Sequence, residues 1–233
     1  MAYKIYLSPS NQSANKYASG STNEMSQCDK IAVAAESALK RCGFSVKLGK
    51  SGDTMQNRCK ESDAFNADIH MPIHTNAFDG KTTGGTLVML YKSSTEHNKA
   101  GKCLLDAVGK ISPGKDYTLR YRTDLYELNT PNAMSLYLEV EFHDTKTGSD
   151  WIRNNIENIG EAIAKGMCNY FGVNYIAKKA STDTAQTKPV TPPTTDKKTL
   201  YYVQVGAFSN KANATALIEK LKKSGFDAII KTK

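Results

Sequence analysis

Between Ala177 and Lys198 the composition turns abruptly to Lys, Ser, Thr, Asp and Pro, and this break constrains the fold more than any other feature. The run Lys188-Pro189-Val190-Thr191-Pro192-Pro193-Thr194-Thr195 offers too little apolar surface to bury, and its prolines favour an extended, semi-rigid spacer. The 233 residues are thereby expected to divide into a domain at 1–175, a Thr/Pro/Lys-rich linker at 176–199 and a small unit at 200–233. The last falls below the roughly 40 residues at which unaided domains become scarce, so it needs a partner surface.

Charge follows the same division. Residues 1–175 carry 20 Lys/Arg against 19 Asp/Glu, whereas residues 176–233 carry 11 against 4. A basic tail favours polyanions such as nucleic acid, membrane headgroups or anionic wall polymers, and any solvated linker can have the same composition. The nearly neutral first domain gives no charge-based reason to expect nucleic acid as its partner. No run of 18 apolar residues is present, so no membrane-spanning helix is expected. The start, Met1-Ala2-Tyr3-Lys4-Ile5-Tyr6, enters an alternating pattern directly, without the basic and apolar regions of a secretory signal. Synthesis in the cytoplasm without a signal peptide is the expectation. The five cysteines, Cys28, Cys42, Cys59, Cys103 and Cys168, form no C-x-x-C pair and read as reduced thiols.

Within 1–175 strand and helix patterns alternate. Strands are expected at 3–7, 44–48, 68–74, 86–91, 125–128 and 136–142, and helices at 24–42, 56–65, 97–110 and 151–170. In the first helix Cys28, Ile31, Ala32, Ala35, Ala38, Leu39 and Cys42 share one face, and Gly43 marks its end. The fold class is therefore α/β, a mostly parallel sheet with helices on both faces, plus a small C-terminal β-α-β unit with strands at 201–208 and 226–231 around a helix at 210–224. Sites in such open sheets lie beyond the carboxyl ends of the strands.

Two strands carry chemistry. In Asp68-Ile69-His70-Met71-Pro72-Ile73-His74, alternation sets Asp68, His70 and His74 opposite an apolar row, and His74 ends the strand. In Tyr137-Leu138-Glu139-Val140-Glu141-Phe142-His143, Glu139, Glu141 and His143 share one face. Two carboxylates in so apolar a strand must be paired, protonated or bound to a cation. Glu24 at the start of the first helix and the loop Ser8-Pro9-Ser10-Asn11-Gln12 complete the set.

In their order these pieces resemble the zinc-dependent N-acetylmuramoyl-L-alanine amidases of bacteria and phages over about residues 3–172. Ile73-His74-Thr75-Asn76-Ala77 matches that family's histidine motif, Glu24 stands where its ligand Glu stands, and Leu138-Glu139-Val140-Glu141-Phe142 matches its final motif, with Glu141 replacing a glycine. The resemblance implies Zn2+ held by Glu24 and His74, with Glu139 as the base acting on a zinc-activated water. It assigns Glu141 to tuning Glu139 or orienting a ligand, and Asn76 to supporting the site or the substrate. The family's loop histidine is absent here. Its place falls to Gln12 or Asn11, then to His143, then to His70, which a regular strand puts roughly 13 Å from His74.

In the tail, Tyr202-Val203-Gln204-Val205-Gly206-Ala207-Phe208 resembles half of the SPOR repeat that binds peptidoglycan glycan strands. Tyr202 and Gln204 lie on the open face, where stacking and amide bonds suit a sugar. One half-repeat per chain implies a homodimer that completes the module. The partners so implied are stem peptides at the first domain and glycan strands at the tail, reached after cell lysis or through a holin-type lesion. A phage or prophage endolysin is the first expectation for its origin and a sporulation autolysin the second. A wall-binding protein with a degenerate amidase domain is the alternative from another class, and a zinc carboxypeptidase of the stem peptide is a third.

Overall fold

The computed structural model describes residues 2–81, 84–115, 118–178, 211–223 and 230. The chain separates into two units, Met1–Ala180 and Ser181–Lys233. In the first, the strands are β1 (Lys4–Pro9), β2 (Ser45–Leu48), β3 (Ile69–Asn76), β4 (Leu87–Leu90), β5 (Thr118–Tyr121), β6 (Met134–Ser135) and β7 (Tyr137–Phe142). The helices are α1 (Glu24–Arg41), α2 (Met55–Phe65), α3 (Thr95–Gly109), α4 (Tyr126–Asn129), α5 (Lys146–Asn154) and α6 (Ile156–Phe171). In the second unit the described residues form α7 (Lys211–Lys223), on which Leu217, Ile218 and Leu221 are half-buried. The flanking strands expected at 201–208 and 226–231, with Tyr202 and Gln204, lie outside the described residues.

The sheet runs β2-β1-β3-β7-β4-β5, with β6 beside β3. All pairs are parallel except β4 with β7, which is antiparallel. The expected mostly parallel α/β sheet is therefore what the chain builds. On one face Ile5, Leu7, Ile69, Met71, Ile73, Leu138 and Val140 pack under α1, α3 and α6 through Ile31, Leu39, Leu104 and Ile163. Fully burying one such aliphatic side chain is worth about 1.5–3 kcal/mol, so this face supplies the rigidity on which the other depends. The first helix ends at Gly43, whose φ of +90° only glycine adopts without strain.

The opposite face is polar. Tyr6 and Ser8 of β1, His70 and His74 of β3 and Ser135 of β6 project there, covered by α2 and α4 through Arg58 and Glu127.

Three element readings differ. Residues 125–128 form part of the single turn α4 rather than a strand: Leu125 and Leu128 bracket a buried Glu127 that needs to reach the polar face. The edge strand β5 escapes a periodicity search because three of its four residues are exposed. The last helix is two, because Asn155 at φ −125° breaks the run between α5 and α6. The cysteines are free, as expected, and all but Cys103 are buried.

Candidate functional site

The carboxyl ends of β1, β3 and β7 meet the start of α1. Asn23 caps α1 by accepting from Ser26 N at 2.9 Å, which sets Glu24 in the first turn, where the helix dipole favours a carboxylate. Glu24 is nevertheless 1% exposed, since it turns inward to His74, with Oε1 at 2.7 Å from Nδ1. Parallel pairing puts Glu139 directly across from His74, and the Tyr137 ring stacks on the imidazole at 4.6 Å between centroids. Glu24, His74 and Glu139, expected together from the sequence motifs, thus converge at one strand end.

The loop after β1 is stitched to α1. Asn15 Nδ2 donates to Gln12 Oε1 at 2.7 Å and to Glu24 Oε2 at 2.7 Å, while Glu24 N donates to Asn15 O at 2.9 Å. Gln12 Nε2 lies 3.5 Å from His74 Nδ1. Asn11 instead turns outward and donates to Asp53 O at 3.0 Å. Of the two loop amides, only Gln12 faces the site.

The remaining candidates are engaged elsewhere. His143 Nδ1 contacts the Thr75 hydroxyl at 2.9 Å and the Thr75 carbonyl at 2.8 Å, and its ring stacks on Tyr17, so it lies with Thr75 on the far side of β3 from His74. His70 pairs with Glu127, Nε2 to Oε1 at 3.2 Å, four residues and roughly 13 Å back along the strand. The Glu141 carboxylate accepts from Phe142 N at 2.8 Å, Gly85 N at 3.0 Å, Gly114 N at 3.2 Å and the Ser112 hydroxyl. It ties two loops to β7, and the approach is so close that a Cβ on Gly114 would lie 2.3 Å from Gly85 N. Asn76 is half-buried, with its side chain accepting from Ala77 N at 2.8 Å.

Charges at the site are coupled. Burial alone would raise the Glu24 carboxyl, but the hydrogen bond and charge of His74, with bonds from Asn15 and Ser10, outweigh it and hold Glu24 low. His74 is held up, because the bond to Glu24 and the charge of Glu139 overcome its desolvation. Glu139 goes the other way. Burial pushes its carboxyl up to about 7, with His74 pulling it down and Glu24 pushing it further up. Glu141 is not among the charges that act on it. Glu139 Oε2 is buried and accepts no hydrogen bond among the described residues.

A second donor set sits deeper. Cys59, His70 and Glu127 bring one ligand atom each within 4.8 Å of one another, the only such trio of His, Cys, Asp and Glu among the described residues. Its carboxylate is held from within, as Ser8 donates to Glu127 and Arg58 donates to Ser8 at 3.4 Å, to Pro9 O and to Lys50 O at 3.0 Å, while His70 Nδ1 and Arg58 Nε stay buried without a partner among the described residues. Burial pushes the Cys59 thiol up to about 12, which keeps it protonated. Arg58, Glu127 and Asn15 carried no signal in the sequence, since each acts through a partner far along the chain.

Residues 7–169 match the N-acetylmuramoyl-L-alanine amidase family, and residues 178–233 match the SPOR domain. The chain belongs to the N-acetylmuramoyl-L-alanine amidase family. It is 26% identical over 243 residues to the sporulation-specific N-acetylmuramoyl-L-alanine amidase of Bacillus subtilis (strain 168), a match that covers 97% of this chain and 84% of that one. Its fold resembles that of an N-acetylmuramoyl-L-alanine amidase from Clostridium difficile 630, with a TM-score of 0.65, 18% identity and coverage of 73% and 97% of the two chains. It likewise resembles the amidase AmiC2 of Nostoc punctiforme, with a TM-score of 0.62, 20% identity and coverage of 73% and 97%.

Proposed function

We infer that Glu139 is the general base of this amidase and that Glu24 and His74 are the protein groups that would hold its metal. The enzyme hydrolyses the amide bond between N-acetylmuramic acid and L-alanine in peptidoglycan. The observation that carries the assignment is the buried, unpartnered Oε2 of Glu139 beside a paired carboxylate and imidazole. An imidazole nitrogen and a carboxylate oxygen are donors that zinc accepts, and they supply two of the three protein ligands a catalytic zinc ordinarily takes, so the residues present fit that ion in kind. When bound, it supplies a Lewis acid that polarises the scissile carbonyl.

The remaining chemistry belongs to the chain. In its ionised form Glu139 takes a proton from the attacking water as the oxygen adds to the carbonyl carbon. It returns that proton to the L-alanine nitrogen as the C–N bond breaks. Glu24 keeps the His74 ring oriented, and the stacked Tyr137 excludes water from one side of it. Asn76, at the end of β3, stands where substrate enters.

The domain at 1–175 is catalytic in this reading, 176–199 is a spacer, and 200–233 binds the wall. Tyr202 and Gln204 would meet the glycan, and two tails would pair. The sporulation amidase matches 97% of the chain, tail included, and supports a sporulation autolysin over a phage endolysin. The test is product analysis of digested walls by mass spectrometry. Wild type is expected to release peptides with a free L-alanine amine together with bound zinc, and Glu139→Ala to release none. A Glu139→Ala protein that still produced this amine at the wild-type rate would overturn the base assignment.

A further inference from the structure

We propose that Gln12 serves the reaction as a hydrogen-bond donor to the carbonyl oxygen under attack, and not as the metal ligand its loop position suggests. The inference rests on the amidase reading for its substrate, but on the hydrogen bonds alone for its orientation. Glu24 Oε2 is a carboxylate oxygen and only accepts, so the Asn15 atom 2.7 Å from it must be the amide nitrogen. That same nitrogen lies 2.7 Å from the terminal atom of Gln12, which must then be the acceptor, Oε1. With its oxygen turned to Asn15, Gln12 presents its NH2 group to the site.

That group has no competing acceptor there. His74 Nδ1, at 3.5 Å, shares its proton with Glu24 Oε1 at 2.7 Å and has no lone pair to offer Gln12. If the nitrogen binds a metal instead, its lone pair is again committed. The N–H groups of Gln12 are therefore held by Asn15, aimed at the site and unspent among the described residues. Such a donor suits the oxygen on which negative charge grows during attack, and it costs no rearrangement when that charge appears. Reversing the amide to offer oxygen would set Gln12 nitrogen against Asn15 nitrogen, or break the bond that holds Glu24.

Two variants of the full chain separate donor from ligand. Gln12→Ala removes the group, while Gln12→Glu keeps its shape and oxygen but not its N–H. Both are expected to lower kcat by about 10²-fold, the typical loss of one such donor, and Gln12→Ala to leave zinc affinity, measured by chelator competition, within about threefold of wild type. Zinc affinity falling tenfold or more in Gln12→Ala, wild-type kcat in Gln12→Glu, or wild-type kcat in Gln12→Ala would each overturn the proposal. Asn15→Ala should cost kcat in the wild-type background and little in the Gln12→Ala background. Additive losses would remove Asn15 as the orienting residue. Zinc affinity unchanged in His74→Ala would strike the metal placement of the preceding section while leaving the Gln12 result readable.

Discussion

Strand β3 carries two histidines on one face, each paired with a glutamate from another element, and the two pairs have opposite characters. His70 and Glu127 are sealed: Ser8 and Arg58 close the pair from β1 and α2, and the Tyr6 ring stacks on the imidazole at 5.3 Å. His74 and Glu24 are similarly close, yet beside them stand an unpartnered carboxylate oxygen and an amide whose oxygen is held by Asn15 and whose nitrogen comes no closer than 3.5 Å to His74 Nδ1. Burial and short contacts are common to both, so neither marks a catalytic site. Unmet bonding does not by itself distinguish them, since His70 Nδ1 and Arg58 Nε are also buried without a partner among the described residues. What differs is its place, which at His74 is the carboxyl end of the strand, where sites in open sheets are built.

Four measurements bear on that contrast. Removing the open end's base, Glu139→Gln, is expected to lower kcat by about 10²–10⁴-fold in release of the L-alanine amine, with the fold retained by circular dichroism. Removing the sealed end's carboxylate, Glu127→Ala, leaves buried cationic and polar partners alone. It should cost about 3–5 kcal/mol in urea unfolding while kcat per folded molecule stays at the wild-type value. A loss of kcat without loss of stability would reverse the roles of the two pairs.

Glu139 also gives a pH signature in the metal-free protein. Its folded pKa, about 7, lies above the unfolded carboxylate value, so native protein binds the extra proton between the two and stability falls as pH rises from about 4.5 to about 7. Glu139→Gln should accordingly raise metal-free stability at pH 8 by about 3 kcal/mol at most, and by nothing measurable at pH 4. An equal gain at both pH values would mean the carboxylate is not strained by burial. The smallest effect calibrates the scale: Glu36→Ala, which breaks the exposed helix pair with Lys40 at 2.8 Å, should change stability by no more than about 0.5 kcal/mol.

Legibility in the sequence follows the range of the interactions. The α1 face from Cys28 to Leu39, the alternation of β3 and the carboxylates of β7 were readable because helix and strand periods are local. His74 and Glu139 were readable because each sets a residue costly to bury within an otherwise apolar strand. Arg58, Asn15 and Glu127 were not, because a buried polar group finds its partner across tens of residues and leaves no period. Glu127 was hidden further by its setting, since Leu125-Tyr126-Glu127-Leu128 has strand-like composition and folds as one helical turn. Glu141 looked like a partner for Glu139 by alternation, yet the donors that gather on it belong to loops around residues 85 and 114, whose arrival no local pattern announces.

The pairing of β3 with β7 slips by one residue between His74 and Asn76, which insulates the site from the segment that follows. Upstream of the slip the β3 to β7 register holds His74 opposite Glu139; downstream the chain leaves that register before it reaches the exposed Phe78. Changes in length or composition beyond the slip are therefore not transmitted back along the ladder to the reacting groups.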